Sequence, residues 1–168
     1  MLLPPKDEFL RLTESRRPMA VHRDVLADME TPLSAYWKLA HDQTHSFLLE
    51  SVTGGEQLAR YSFIGVRPRL VIRSKNGQVR KIASSGETRE DLAGGEDPLD
   101  ALKAVMRDAP VDDSGLPTFT GGAVGMLAYD IVRYFERLPD STVDDLSVDD
   151  MAMMLADTVV AFDHAKNL

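Results

Sequence analysis

The chain has 168 residues, 43% of them hydrophobic, enough to bury one sizeable core or one core with a smaller satellite. Its formal net charge of −8, from 27 acidic against 19 basic residues, argues against nucleic acid as a partner, because phosphate binding needs a basic stripe that releases counterions. With no cysteine, disulfides and thiolate metal sites are excluded. No run of about 18 apolar residues could span a bilayer, and the apolar start at Leu2-Leu3 turns acidic too soon for a secretory signal, so a soluble, cytoplasmic protein with no membrane partner is expected.

In chain order, residues 7–15 form the first predicted helix, short and amphipathic, offering Phe9, Leu10 and Leu12 to a core. Residues 19–27 have a strand-like pattern. A second helix is better marked. Thr31 can cap it, Pro32 suits its first turn, and Leu33, Tyr36, Trp37 and Ala40 recur at helical spacing up to His41 or Asp42. Residues 46–52 are a mostly apolar strand candidate interrupted by Thr53-Gly54-Gly55, and residues 61–66 start another extended segment.

Residues 69–75 and 78–83 flank Asn76-Gly77, the strongest two-residue hairpin signal, because both positions tolerate positive φ. The alternating Arg and Lys of this stretch read as the wet face of a sheet. Residues 84–96, rich in Ser, Gly, Glu and Asp, read as a surface loop, and Asp97-Pro98 opens a helix to about residue 107 with Leu99, Leu102, Val105 and Met106 as its buried stripe. After a loop at 110–117, residues 121–129 read as a glycine-containing strand and 131–135 as a turn or two of helix. Residues 140–150, which carry Asp140, Asp144, Asp145, Asp149 and Asp150, should be exposed and loosely ordered. The nearly all-apolar residues 151–162 suggest one buried strand.

Hairpins and mixed pairs, not a regular βαβ alternation, predict an α+β fold built on antiparallel sheet. The chain stops shortly after a core strand, so it is expected to be an incomplete part of a larger protein.

No catalytic centre is visible in these residues. His22, His41, His45 and His164 do not form the close pair on one helix face that a zinc hydrolase needs. Gly121-Gly122-Ala123-Val124-Gly125 lacks the Lys and Ser or Thr of a phosphate loop, so its glycines are expected to admit close approach within a sheet. The pairs Asp112-Asp113, Asp144-Asp145 and Asp149-Asp150 read as solvated charges.

One constellation could bind a ligand. Leu49, Glu50 and Ser51 close an apolar strand, and Arg60-Tyr61-Ser62 follow after a glycine turn. A carboxylate, a hydroxyl and a guanidinium beside an apolar element suit a zwitterion with a hydrophobic side chain, its ammonium facing Glu50. The competing reading is a surface ion pair between Glu50 and Arg60, worth about 0–1 kcal/mol.

Residues 47–65, with Leu48-Leu49-Glu50-Ser51 at their head, closely resemble a region of the anthranilate synthase component I family. Residues 121–139 and 156–164 resemble two later regions of that family in the same order. Met126 and Ala128 depart from its usual Tyr and Gly. The resemblance implies an antiparallel β-sheet sandwich with helices on its outer faces, here the amino-terminal regulatory region over residues 1–168, with the carboxy-terminal chorismate-binding catalytic region absent. It implies conversion of chorismate to anthranilate and pyruvate, with magnesium and with ammonia from a glutamine amidotransferase subunit. It also implies feedback inhibition by L-tryptophan at Glu50 and Ser51, with Leu49 as a wall and Arg60 as a further contact. No catalytic or metal-binding residue of the family falls in the chain, so the fragment alone is expected to be inactive and to need no cofactor. A bare apolar surface where a missing part should dock would favour homo-oligomers. The large subunit of aminodeoxychorismate synthase and a non-catalytic binding module are the alternatives.

Overall fold

The structure, a computed structural model, describes residues 2–14, 19–50, 60–106, 115–139 and 141–168. It is α+β, with two antiparallel sheets and few helices, as expected. The chain divides into two compact units. One comprises residues 1–67, 108–122 and 157–168, and the other residues 68–107 and 123–156.

In the first unit, helix α1 spans Lys6–Thr13 and helix α2 spans Pro32–Ala40. The expected cap of α2 is a full capping box. Thr31 Oγ1 accepts the Ser34 N–H at 3.0 Å, and Ser34 Oγ accepts the Thr31 N–H at 2.9 Å. Reciprocal bonds of this kind satisfy two otherwise orphaned donors. The three-stranded sheet of this unit runs in the order β1 (Ser46–Glu50), β2 (Tyr61–Val66), β8 (Val159–Asp163), all antiparallel. Helix α2 packs on β1 and β2, and the Tyr36 hydroxyl lies 2.9 Å from Ser46 Oγ. Phe47, Ile64 and Phe162 are buried. Phe47 faces Gly65 across the strands, where a Cβ would come within 2.2 Å of its ring, so only glycine leaves room for the phenyl group. Phe119 packs edge-on against both Phe47 and Phe63, with centroids 6.2 and 5.4 Å apart.

The second unit holds a five-stranded sheet. Its order is β5 (Gly86–Asp91), β4 (Gln78–Ala83), β3 (Leu70–Lys75), β7 (Met151–Ala156), β6 (Gly122–Leu127), β6 starting at the unit boundary. Helix α3 (Pro98–Met106) covers one face. Ile72, Val79, Ala101, Met151 and Leu155 form the core, with Leu99, Leu102, Val105 and Met106 of α3 packed against it, which is the expected stripe. The β3–β4 hairpin turns at Asn76 and Gly77, both at positive φ (50° and 76°), as the dipeptide demands. The Tyr134 hydroxyl accepts the Gly77 N–H at 2.9 Å, and Asp150 accepts the Asn76 N–H at 3.0 Å, fastening the turn. Residues 131–134 belong to a 3₁₀ helix, Tyr129–Tyr134.

Five expectations are corrected. Leu10 and Leu12 of α1, expected to enter a core, are exposed. Residues 19–27 form no strand. Their ladder is a single bridge between His22 and Leu3, and Val21, Val25 and Leu26 stay exposed because no neighbouring strand lies beside them. The loop expected at 84–96 contains β5, an edge strand exposed at every position, which pairs with β4 and so needs no apolar alternation of its own. The single strand expected at 151–162 is two strands in different sheets, separated by Asp157-Thr158. Leu155 pairs with Leu70, and Val159 with Gly65. Asp149 and Asp150 are not solvated but buried, at 8% and 6% exposure. Arg73 and Arg80 bond the Asp149 carboxylate, while Lys75 and the Asn76 N–H bond Asp150. Burial is tolerated because each charge is paired. Asp112 and Asp113 lie outside the described residues.

The expected close approach at the glycine cluster is found at Gly125, where a Cβ would sit 2.0 Å from the Ala152 carbonyl oxygen of β7. Backbone cannot give way as a flexible side chain can. Gly125→Ala should therefore destabilise the protein by about 1–3 kcal/mol, the usual cost of overpacking, read as a lower urea midpoint; an unchanged midpoint would contradict this packing.

Candidate ligand site at the end of the three-stranded sheet

The antiparallel register brings the C-terminal end of β1, the N-terminal end of β2 and the C-terminal end of β8 together. Glu50 lies opposite Ser62, Ser62 opposite Phe162, and Tyr61 opposite Asp163. Side chains alternate along a strand, so Leu49 shares a face with Phe47 and Phe63, while Glu50 shares the other with Ser62. Leu49 is 41% exposed and Glu50 is exposed. Ser51 lies outside the described residues. The structure thus gathers Leu49, Glu50 and Arg60 at one end of one sheet.

Arg60 does not pair with Glu50. Its Nε and Nη2 donate to the two carboxylate oxygens of Asp163 at 3.0 and 2.7 Å, and its guanidinium carbon lies 4.9 Å from the centroid of the Tyr61 ring. The two-pronged geometry is the strong form of this ion pair. It is extended by the Ala165 N–H, which donates to Asp163 Oδ1 at 3.1 Å, and by the His164 N–H, which donates to the Arg60 carbonyl at 2.9 Å. The Arg60 hydrogen bond holds the Asp163 carboxyl below the ordinary carboxylate range against the opposing effect of burial, with the Ala165 N–H contributing. The same hydrogen bond raises the Arg60 pKa.

Sequence reasoning missed two neighbours, Asp163 and His164, which meet Arg60 and Ser62 of the expected constellation. Ser62, 1% exposed, lies with its Oγ 2.8 Å from His164 Nε2, and Asp163 closes the bidentate pair. The only linear signal was that Asp163 and His164 end an apolar strand. Nothing local tells that residue 163 returns to residue 60.

A second polar cluster occupies the wet face of the five-stranded sheet. Arg73, Arg80 and Arg89 stand in one cross-strand row beside an open cleft of about 450 Å³, which is lined by Lys75, Gln78, Arg80, Arg89, Ser147 and Asp149. Arg73 and Arg80 share Asp149, and Arg89 pairs with Glu87, so the row carries little unbalanced charge. Among the described residues no helix is long and apolar enough to cross a membrane, and no group of three or more His, Asp or Glu is placed to hold a metal ion.

No protein-family model matches the chain. Individual proteins do. Anthranilate synthase component 1 of Mycobacterium tuberculosis strain H37Rv is 42% identical over 163 residues, covering 95% of this chain and 31% of that protein. The Thermus thermophilus protein of the same name is 46% identical over 144 residues, covering 85% of this chain and 29% of its own length. A crystal structure of anthranilate synthase component I from Streptococcus pneumoniae TIGR4 superposes with a TM-score of 0.54 at 28% identity, covering 88% of this chain and 30% of that one. This chain is a homologue of the amino-terminal region of anthranilate synthase component I. It spans about a third of the length of these anthranilate synthase relatives.

The depressed Asp163 pKa has a consequence for stability. A carboxylate whose folded pKa lies below its unfolded value contributes stability above the unfolded pKa, about 4, and loses it as pH falls through the folded value. Asp163→Asn should lower the urea midpoint at pH 7, and the gap to wild type should close as the pH drops below about 4. A gap unchanged down to pH 2 would contradict the ion pair.

Proposed function

We propose that this chain is the tryptophan-sensing part of anthranilate synthase component I, and that the whole protein converts chorismate and ammonia to anthranilate and pyruvate in tryptophan biosynthesis. The observation that carries the reading is the exposed β1 end, where Leu49 and Glu50 stand beside the start of β2 in a chain homologous to that enzyme. Glu50 accepts the ammonium of L-tryptophan, Ser51 bonds its polar end, and Leu49 supplies apolar surface at the edge of the same strand. The chorismate-binding and magnesium-binding residues belong to the part of the relatives that this chain does not span. Ammonia comes from a glutamine amidotransferase subunit, and the assembly works in the cytoplasm.

Inhibition on this reading is a population shift. L-tryptophan and chorismate prefer different conformations of the large subunit, so each weakens the binding of the other by a reciprocal coupling of about 1–3 kcal/mol, roughly 5- to 150-fold.

The test is the fluorescence of anthranilate formed by the protein expressed from its complete reading frame, supplied with chorismate, magnesium and ammonia, with and without L-tryptophan. Suppression by L-tryptophan is expected, and Glu50→Gln or Ser51→Ala should raise the half-inhibiting concentration about tenfold or more, the scale of losing one charge-assisted contact. Wild-type sensitivity in both variants would contradict the site. Formation of 4-amino-4-deoxychorismate instead of anthranilate would make the protein an aminodeoxychorismate synthase, and formation of neither would favour a non-catalytic binding module.

A further inference from the structure

The tryptophan site proposed above needs a partner for the ligand carboxylate, and Arg60 is the obvious cation at that end of the sheet. The geometry assigns it another task. Nε and Nη2, one of the two edges by which a guanidinium can grip a carboxylate in bidentate fashion, already grip Asp163 at 3.0 and 2.7 Å. The plane of the group is further fixed beside the Tyr61 ring. Asp163 is held from its own side by the Ala165 N–H, and the backbones of Arg60 and His164 are joined by a hydrogen bond. A ligand carboxylate taking this edge would have to displace a built-in carboxylate that is already oriented and 13% exposed.

Charge points the same way. Arg60 and Asp163 neutralise each other, so the clamp offers a ligand carboxylate little net charge, while among the described residues Glu50 makes no ion pair. The Glu50 carboxylate suits the ammonium of an amino acid, and the neutralised clamp does not call for its carboxylate.

We propose that Arg60 is a positioning residue of the tryptophan site, not a ligand contact: clamped to Asp163 of β8, it fixes the start of β2, and through the Glu50–Ser62 pairing it fixes the end of β1 that presents Glu50. The ligand carboxylate is met by other donors. The proposal rests on the tryptophan site itself, and the test separates the two.

In the protein expressed from its complete reading frame, L-tryptophan inhibition is titrated in Arg60→Gln, Asp163→Asn and the double variant, each against its own uninhibited rate, with Glu50→Gln alongside. A clamp acts as a unit. Both single variants should raise the half-inhibiting concentration by a similar factor, about tenfold, and the double variant should be no worse than either. If Arg60→Gln loses far more than Asp163→Asn, or the effects multiply, Arg60 touches the ligand and the proposal is overturned. If neither variant moves inhibition while both lower the urea midpoint, the pair is merely stabilising and the proposal fails, with the site itself upheld by a loss of inhibition in Glu50→Gln. If Glu50→Gln also keeps wild-type inhibition, the site reading falls and the proposal falls with it.

Discussion

The structure hangs on the pairing of β2 with β8. It joins segments 103 residues apart at the Arg60–Asp163 ion pair and closes the three-stranded sheet. Closing so long a loop costs chain entropy that grows only slowly with length, so a short ladder and one charged clamp can hold it. Without β8, the buried face of β2 around Ile64 would lose Phe162 and Val160 beside it, and the Glu50–Ser62 pairing would lie on a two-stranded ribbon. Isolated hairpins of that kind are marginal in water.

The same constraint explains why the chain is divided as it is. Residues 68–107 and 123–156 form their own unit, which in sequence falls between β2 and β8 of the other, and each sheet needs a strand from late in the chain. Asp157-Thr158 is where β7 gives way to β8. The apolar run around that polar pair serves two sheets, and its two halves have different partners, Leu70 for Leu155 and Gly65 for Val159.

What was legible in the sequence was local chemistry. Asn76-Gly77 specified its hairpin through the positive φ that both positions accept, Thr31-Pro32 specified the start of α2, and the stripe of Leu99, Leu102, Val105 and Met106 specified the buried face of α3. What was illegible was long-range pairing. Strand β5 has no apolar side because it sits at an edge with exposed faces, and its charged residues, such as Glu90 paired with Lys81, are what a protected edge carries. Asp149 and Asp150 looked like solvent-borne charge, since nothing within ten residues shows that Arg73, Lys75 and Arg80 come to meet them. At the candidate site, Leu49, Glu50 and Arg60 were named from residue type and resemblance, and they lie at one end of one sheet, with Leu49 and Glu50 on opposite faces of β1. The partner of Arg60 could not be found that way, because Asp163 reaches it only through the register of β2 on β8.

The regulatory site proposed at the shared end of β1, β2 and β8 joins a neutral clamp to the Glu50 carboxylate, which makes no ion pair among the described residues. Amide hydrogen exchange on the protein expressed from its complete reading frame, with and without saturating L-tryptophan, tests this most directly. The account predicts added protection concentrated in residues 46–51, 60–64 and 159–164, where the ligand and the clamp hold the strand ends together. Protection that leaves these three segments unchanged while L-tryptophan is bound would place the amino acid elsewhere and contradict the account.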